Sequence, residues 1–155
     1  MRFDIPNFKE CDIENIIFDY NGTIATDGIV EDSFVSNIKD LAMDYNIYVV
    51  TADTFGSVKK NLSNLPIDIK VLDSNDHTKQ KCDILNSLGA DKTIAVGNGN
   101  NDRLMLQEAI ISIAILGKEG LSTKALNSAD IVCKSITDAL MLIKNQKRLI
   151  ATLRR

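Results

Sequence analysis

Four short segments of this chain carry residues suited to moving a phosphoryl group. Asp19 ends the apolar run Ile16-Ile17-Phe18 and precedes Tyr20-Asn21-Gly22-Thr23. A carboxylate at the end of a buried strand, beside a glycine turn, suits a nucleophile that attacks phosphorus. Thr51 ends a second apolar run and offers a hydroxyl able to donate to a phosphate oxygen. Lys79, with Lys81 as a rival two residues on, supplies the cation needed beside a dianionic phosphate and its nucleophile. Gly97-Asn98-Gly99-Asn100-Asn101-Asp102 leads into a helical period. Its glycines permit a tight turn, and a helix start favours an anion.

These residues can cooperate only if strand ends bring them together. Ile13 to Asp19 reads as a first strand, and Asn21-Gly22 as a tight hairpin turn after it. Phe34, Ile38, Leu41, Ala42 and Tyr45 fall at helical spacing, which predicts a helix over Ser33 to Tyr45. Ile47 to Thr51 is a second strand, and Val58, Leu62 and Leu65 mark a helix that Pro66 stops. Ile67 to Leu72, Thr93 to Val96, Ile111 to Leu116 and Ala129 to Cys133 complete six strands. Helical periods separate them: Cys82 to Leu88 with Gly89 as cap, a helix through Leu104 and Leu106 after a turn, and Leu121 to Leu126. Ser135 with Asp138 signs the start of a last helical region. The alternation predicts a three-layer α/β/α sandwich around a mostly parallel, doubly wound, Rossmann-like sheet. Ligands of such sheets bind outside the carboxyl ends of the strands, where Asp19, Thr51 and the Gly97 turn all fall.

The bulk numbers bound the partners. The chain has 155 residues, enough for one domain, 1–155, with a real core. No apolar run approaches the roughly 20 residues of a membrane span, and Met1-Arg2-Phe3-Asp4 opens no signal peptide, so no membrane partner is expected. A net charge of −3 gives no global attraction to nucleic acid. Cys11, Cys82 and Cys133 are odd in number and lack zinc-like spacing, which implies reduced thiols in a cytoplasmic protein. With His77 as the only histidine, a histidine triad or a multi-histidine metal site is out of reach. Lys144, Lys147, Arg148, Arg154 and Arg155, set among Leu149, Ile150 and Leu153, read as a helix with a solvated basic face.

Taken in order, the four segments resemble the motifs of the haloacid dehalogenase-like superfamily of phosphotransferases. Phe18-Asp19-Tyr20-Asn21-Gly22-Thr23 looks like its first motif, Thr51 its second, Lys79 its third and the Gly97 to Asp102 turn its fourth. Thr51-Ala52-Asp53, His77-Thr78-Lys79 and the GNGNND turn are similar to the phosphorylation domain of P-type ATPases. Ser112-Ile113-Ala114-Ile115-Leu116-Gly117 resembles the strand that follows there, so the likeness runs from about Ile13 to Ile143. It suggests a soluble P-type ATPase-like member. About 30 residues separate Asp19 from Thr51, and a similar stretch leads to Lys79, so no cap domain fits in either interval.

The resemblance implies a mechanism. Asp19 would form an aspartyl-phosphate. Mg²⁺ would bridge it to the phosphate, with the Asn21 carbonyl, Asn98 and Asp102 as the remaining metal-site residues. Thr51, Ala52, Lys79 and the backbone near Tyr20 and Gly22 would hold the phosphate oxygens. Two positions depart from the pattern. Asn21 stands where these phosphatases carry the aspartate that protonates the leaving group, and an amide cannot do so. Asn98 stands where a metal-binding aspartate is usual, which implies weak metal binding until substrate phosphate adds its charge. The expected function is a Mg²⁺-dependent phosphohydrolase of small phosphorylated substrates, favouring good leaving groups. The alternative is a non-catalytic or regulatory phosphate-binding protein, which both asparagines favour. Open sheet edges and an uncovered site leave room for a homo-oligomer.

Overall fold

The computed structural model describes residues 1–53, 56–73 and 75–155. It opens with an antiparallel hairpin that the sequence pattern did not announce, β1 (Arg2–Ile5) paired with β2 (Lys9–Asp12). β3 (Asn15–Asp19) therefore starts later than expected: Ile13 belongs to the connection, where its N–H donates to the Met1 carbonyl at 2.8 Å. Two short strands, β4 (Ala25–Thr26) and β5 (Ile29–Val30), come next. They are followed by α1 (Asp32–Leu41), β6 (Asn46–Thr51), α2 (Ser57–Leu62), β7 (Asp68–Val71), α3 (His77–Leu88) and β8 (Thr93–Gly97). The chain ends through α4 (Arg103–Glu108), β9 (Ile111–Ile115), α5 (Thr123–Ser128), β10 (Ile131–Cys133), α6 (Ile136–Lys144) and α7 (Gln146–Leu153).

Six strands form one parallel sheet in the order β10-β9-β8-β3-β6-β7. Parallel strands covered on both faces favour near-continuous apolar runs, and β3, β8 and β9 are buried throughout. Successive residues still point to opposite faces. Ile16 and Phe18 pack with α1 and α6, and Ile17 packs with α3 and α4, which makes the three layers. Phe18 meets Phe34 of α1 edge to face, with ring centroids 5.4 Å apart. From β3 the chain winds outward to β6 and β7, then crosses to β8 and winds the other way. The reversal falls between β3 and β8, the place where such sheets open a crevice.

The loop after β3 differs from the expected hairpin turn. The Tyr20 carbonyl accepts from the N–H groups of Thr23, Ile24 and Ala25, so Asn21-Gly22 sits in a tight coil. The hairpin turn is Asp27-Gly28, with φ of 52° and 76°, the paired positive values that a two-residue hairpin loop favours. The terminal helical region also splits in two, at Asn145. Ser135 caps α6 by accepting from the Asp138 N–H at 3.1 Å, as its signature predicts. α7 buries Leu149 and Leu153 and leaves Lys147 and Arg148 exposed. Among the described residues, only the small hairpin and α1 lie between β3 and β6, and only α2 and β7 between β6 and α3. The three cysteines are free, and no helix among the described residues is long and apolar enough to cross a membrane.

Candidate active site

Asp19, Thr51 and Gly97 are the last residues of three adjacent strands, β3, β6 and β8. Above them lies a cleft of about 150 Å³ that touches Asp19, Asn21, Thr51, Lys81, Asn98 and Asn101. Tyr20, Ala52, Leu72 and Gly99 also line it. The Tyr20 ring turns away and is held by its hydroxyl, which donates to the Gly28 carbonyl at 3.1 Å and accepts from Asn61 at 3.3 Å. Thr51 is buried and its hydroxyl oxygen accepts from the Asp53 N–H at 3.1 Å, which fixes the oxygen at the cleft wall.

The cation in the cleft is Lys81, and the expectation for Lys79 is corrected. Lys79 lies on the exposed side of α3 with its Nζ 2.5 Å from Asp83, one turn on. Its backbone N–H donates to Asp76, which caps the helix, at 3.0 Å. Positions two apart on a helix differ by about 200° of rotation, so the two lysines cannot share a direction. Lys81 is 1% exposed, and its Nζ lies 2.6 Å from both Asp19 Oδ1 and Asp102 Oδ1. A signal for this was present: Lys81 stands four residues before Leu85, the other buried residue of α3, and so shares its face.

Asp102 stands behind the cleft. It is fully buried, and its second oxygen accepts from the N–H groups of Asn98 at 2.9 Å and Gly99 at 2.7 Å. The carboxylate expected among the metal ligands therefore organises the turn and Lys81. Close approach explains Gly97, since an added Cβ would sit 2.6 Å from Asp102 Cγ. Gly97→Ala is expected to cost about 1–3 kcal/mol of stability by overpacking. Calorimetric melting checks this, and an unchanged melting temperature would mean that Asp102 moves without cost.

Gly22 is likewise placed by space. Its N–H, expected at the phosphate, donates to the Ala25 carbonyl at 2.8 Å. Its φ is 78°, and a Cβ there would lie 2.8 Å from Asn98 Cγ. Thr23, unassigned by sequence, is buried, with its hydroxyl 3.2 Å from Asp19 Oδ2 and 3.1 Å from Asn98 Oδ1. Burial pushes the Asp19 carboxyl up to about 7, Asp102 adds to this, and Lys81 and Thr23 oppose it. Burial pulls the Lys81 ammonium down, but its two carboxylates outweigh it and hold the pKa above the ordinary value.

No group of three or more His, Cys, Asp or Glu side chains among the described residues is arranged to hold a metal. The cleft offers instead the Asp19 carboxylate and the Asn98 amide oxygen, with the buried Thr23 hydroxyl between them. An all-oxygen set with one carboxylate suits Mg²⁺, which keeps several waters and completes its shell with substrate phosphate.

No protein-family model matches the chain. It is 52% identical over 63 residues to an uncharacterized protein of Methanocaldococcus jannaschii, a match that spans 41% of this chain and 68% of that protein. It is 26% identical over 125 residues to a soluble P-type ATPase-like phosphatase of that organism, covering 79% of this chain but 46% of the relative. Among solved structures it superposes on the 3-deoxy-D-manno-octulosonate 8-phosphate phosphatase of Moraxella catarrhalis, in complex with magnesium, phosphate and the sugar acid. There the TM-score is 0.70 at 14% identity, over 92% of this chain and 94% of that one.

Proposed function

The chain belongs to one family with the uncharacterized archaeal protein and has the haloacid dehalogenase-like fold; from this we propose that it is a Mg²⁺-dependent phosphohydrolase acting through Asp19. One observation carries the reading: a buried lysine held 2.6 Å from a carboxylate at the end of the central strand, inside the cleft at the sheet's switch point. The phosphatase named among its relatives and the magnesium and phosphate held by its structural neighbour support it.

Asp19 attacks phosphorus in line, and the bond to the leaving oxygen breaks as the new one forms. Lys81 and the Thr51 hydroxyl hold the equatorial oxygens, and Asp102 keeps Lys81 in place. Thr23 orients the Asp19 oxygen that faces Asn98. Mg²⁺, held by Asp19, Asn98 and the Asn21 carbonyl, would supply charge neutralisation between nucleophile and phosphate. Water then cleaves the aspartyl-phosphate and restores the carboxylate. Phosphoryl transfer asks mostly for positioning and charge, which these groups provide.

Asn21, exposed at the cleft, cannot protonate a departing alkoxide. Leaving groups that depart as stable anions are therefore favoured, such as aryl and acyl phosphates. The test is a phosphate-release screen with Mg²⁺ over small phosphorylated compounds. Aryl phosphates should turn over faster than alkyl ones, and equal rates count against the reading. Asn21→Asp should raise alkyl phosphate turnover by about 10²-fold or more, the usual worth of a general acid. No gain in a folded variant would show that protonation does not limit the rate.

A further inference from the structure

We infer that two copies of this chain associate through β10, which pairs antiparallel with its counterpart around a two-fold axis at Val132 and joins the two six-stranded sheets into one. Among the described residues the sheet has two open edges, β7 and β10. They differ in what they offer a partner. β7 reads Asp68-Ile69-Lys70-Val71, with Lys70 Nζ 2.6 Å from Asp68 Oδ2. Charges set along an edge keep it from pairing with another strand. β10 reads Ile131-Val132-Cys133 and carries no charge. Ile131 and Cys133 bury in the core, while Val132 points to the other face and is 45% exposed. Leu116 lies beside it, 53% exposed, with its N–H on the Cys133 carbonyl at 2.8 Å. All three β10 residues also line an open groove of about 290 Å³, which they share with Met141 of α6 and Arg148 of α7.

The backbone sets the register. Neighbouring residues of a strand turn their polar groups to opposite sides, and the Cys133 carbonyl faces β9, where Leu116 occupies it. Val132 therefore directs both its N–H and its carbonyl outward. Two antiparallel strands centred on this residue exchange both bonds, Val132 with Val132. The same register brings Ile131 against Cys133, and Asp130 against Lys134, of the second copy. Lys134 is exposed and enters no ion pair among the described residues. Asp130 is exposed as well; its Oδ2 accepts from the Ser112 N–H at 2.9 Å and hydroxyl at 3.1 Å, which leaves Oδ1 for a partner. The two-fold thus closes both ends of an apolar ribbon with opposite charges, which favour each other across strands. A parallel copy in register would set like charges side by side. One surface patch meeting itself in this way is what a two-fold dimer requires.

Sedimentation velocity on the whole chain over a concentration series tests this, with amide hydrogen exchange as a second measurement. The mass should rise from one chain toward two between about 1 µM and 1 mM, as mass action requires of a short edge. Over the same range the Val132 amide should exchange about 10-fold more slowly or better. Val132→Lys sets two ammonium groups face to face at an exposed position and should hold the mass at one chain, with the melting temperature of dilute protein unchanged. Lys134→Glu should weaken association by about 10-fold or more, because both charge pairs become repulsive. Lys70→Glu on the opposite edge should leave it as it is. The wild-type Val132 amide decides the matter even where a variant folds poorly. A mass of one chain at every concentration overturns the inference. So does a dimer that survives Val132→Lys with the wild-type Val132 amide unprotected, since its contact then lies elsewhere.

Discussion

Asp19→Asn is expected to abolish phosphate release and, in the same molecule, to stabilise the fold above neutral pH. The activity loss follows from removing the proposed nucleophile, and a drop of about 10⁴-fold or more is the scale for such a group. The gain in stability follows from burial. In the fold without metal the Asp19 carboxyl titrates at about 7, against 3.8 when unperturbed. The folded chain thus holds this proton more tightly than the unfolded chain. Stability from this group is greatest below about pH 4 and declines as pH rises toward 7, after which the loss is complete. An amide cannot ionise and removes that decline. Lys81 gives up one anionic partner in exchange, so the net gain at pH 8 is about 2 kcal/mol, with little difference near pH 4. Urea unfolding in EDTA at the two pH values measures it. A variant less stable than wild type at pH 8 would show that the ion pair to Lys81 outweighs the cost of burying the charge. Phosphate release that survives the substitution would place the chemistry elsewhere.

Lys81→Met should have the second largest effect, and Lys79→Ala almost none. Without Lys81, the carboxylates of Asp19 and Asp102 remain buried with no cation between them. Breaking a buried pair from one side costs about 3–5 kcal/mol. The exposed Lys79–Asp83 pair lies on the helix surface, where such substitutions stay within about 0.5 kcal/mol. Turnover should fall to background in the first variant and stay unchanged in the second. Loss of folding is separable from loss of chemistry. Lys81→Met combined with Asp102→Asn removes one stranded charge, so stability should partly return while phosphate release stays absent. A large loss of activity in Lys79→Ala would reverse the assignment of the two lysines.

Much of this site was legible in sequence because its parts sit at strand ends. Runs such as Ile16-Ile17-Phe18 and Ile94-Ala95-Val96 leave no choice but a buried strand, and the residue after each run lands on the rim. What stayed hidden depends on direction. Lys79 and Lys81 are equivalent as residue types, and only the phase of α3 against Leu85 separates them. Asp102 and Asn98 were readable as a polar turn, but which one faces the cleft is set by hydrogen bonds to Gly99 and Gly120. Asn21-Gly22 satisfies the rule for a hairpin, yet the three N–H groups gathered on the Tyr20 carbonyl win locally, and Asp27-Gly28 makes the hairpin instead. The first hairpin was hard to read because it is short: Arg2-Phe3-Asp4-Ile5 alternates over only four residues, and Lys9-Glu10-Cys11-Asp12 offers one apolar position.

The volume of the cleft has a consequence for selectivity. At about 150 Å³ it falls below the roughly 300 Å³ at which pockets begin to enclose organic ligands. Among the described residues it has space for a tetrahedral oxyanion and an ion, and the carbon skeleton of an ester would extend past them. Shape can therefore do little sorting at this locus. Compounds would be ranked by the acidity of the alcohol or acid that they shed, a filter on bond strength in place of a steric sieve. Small inorganic mimics of phosphorus, such as vanadate, would compete equally well against every compound turned over.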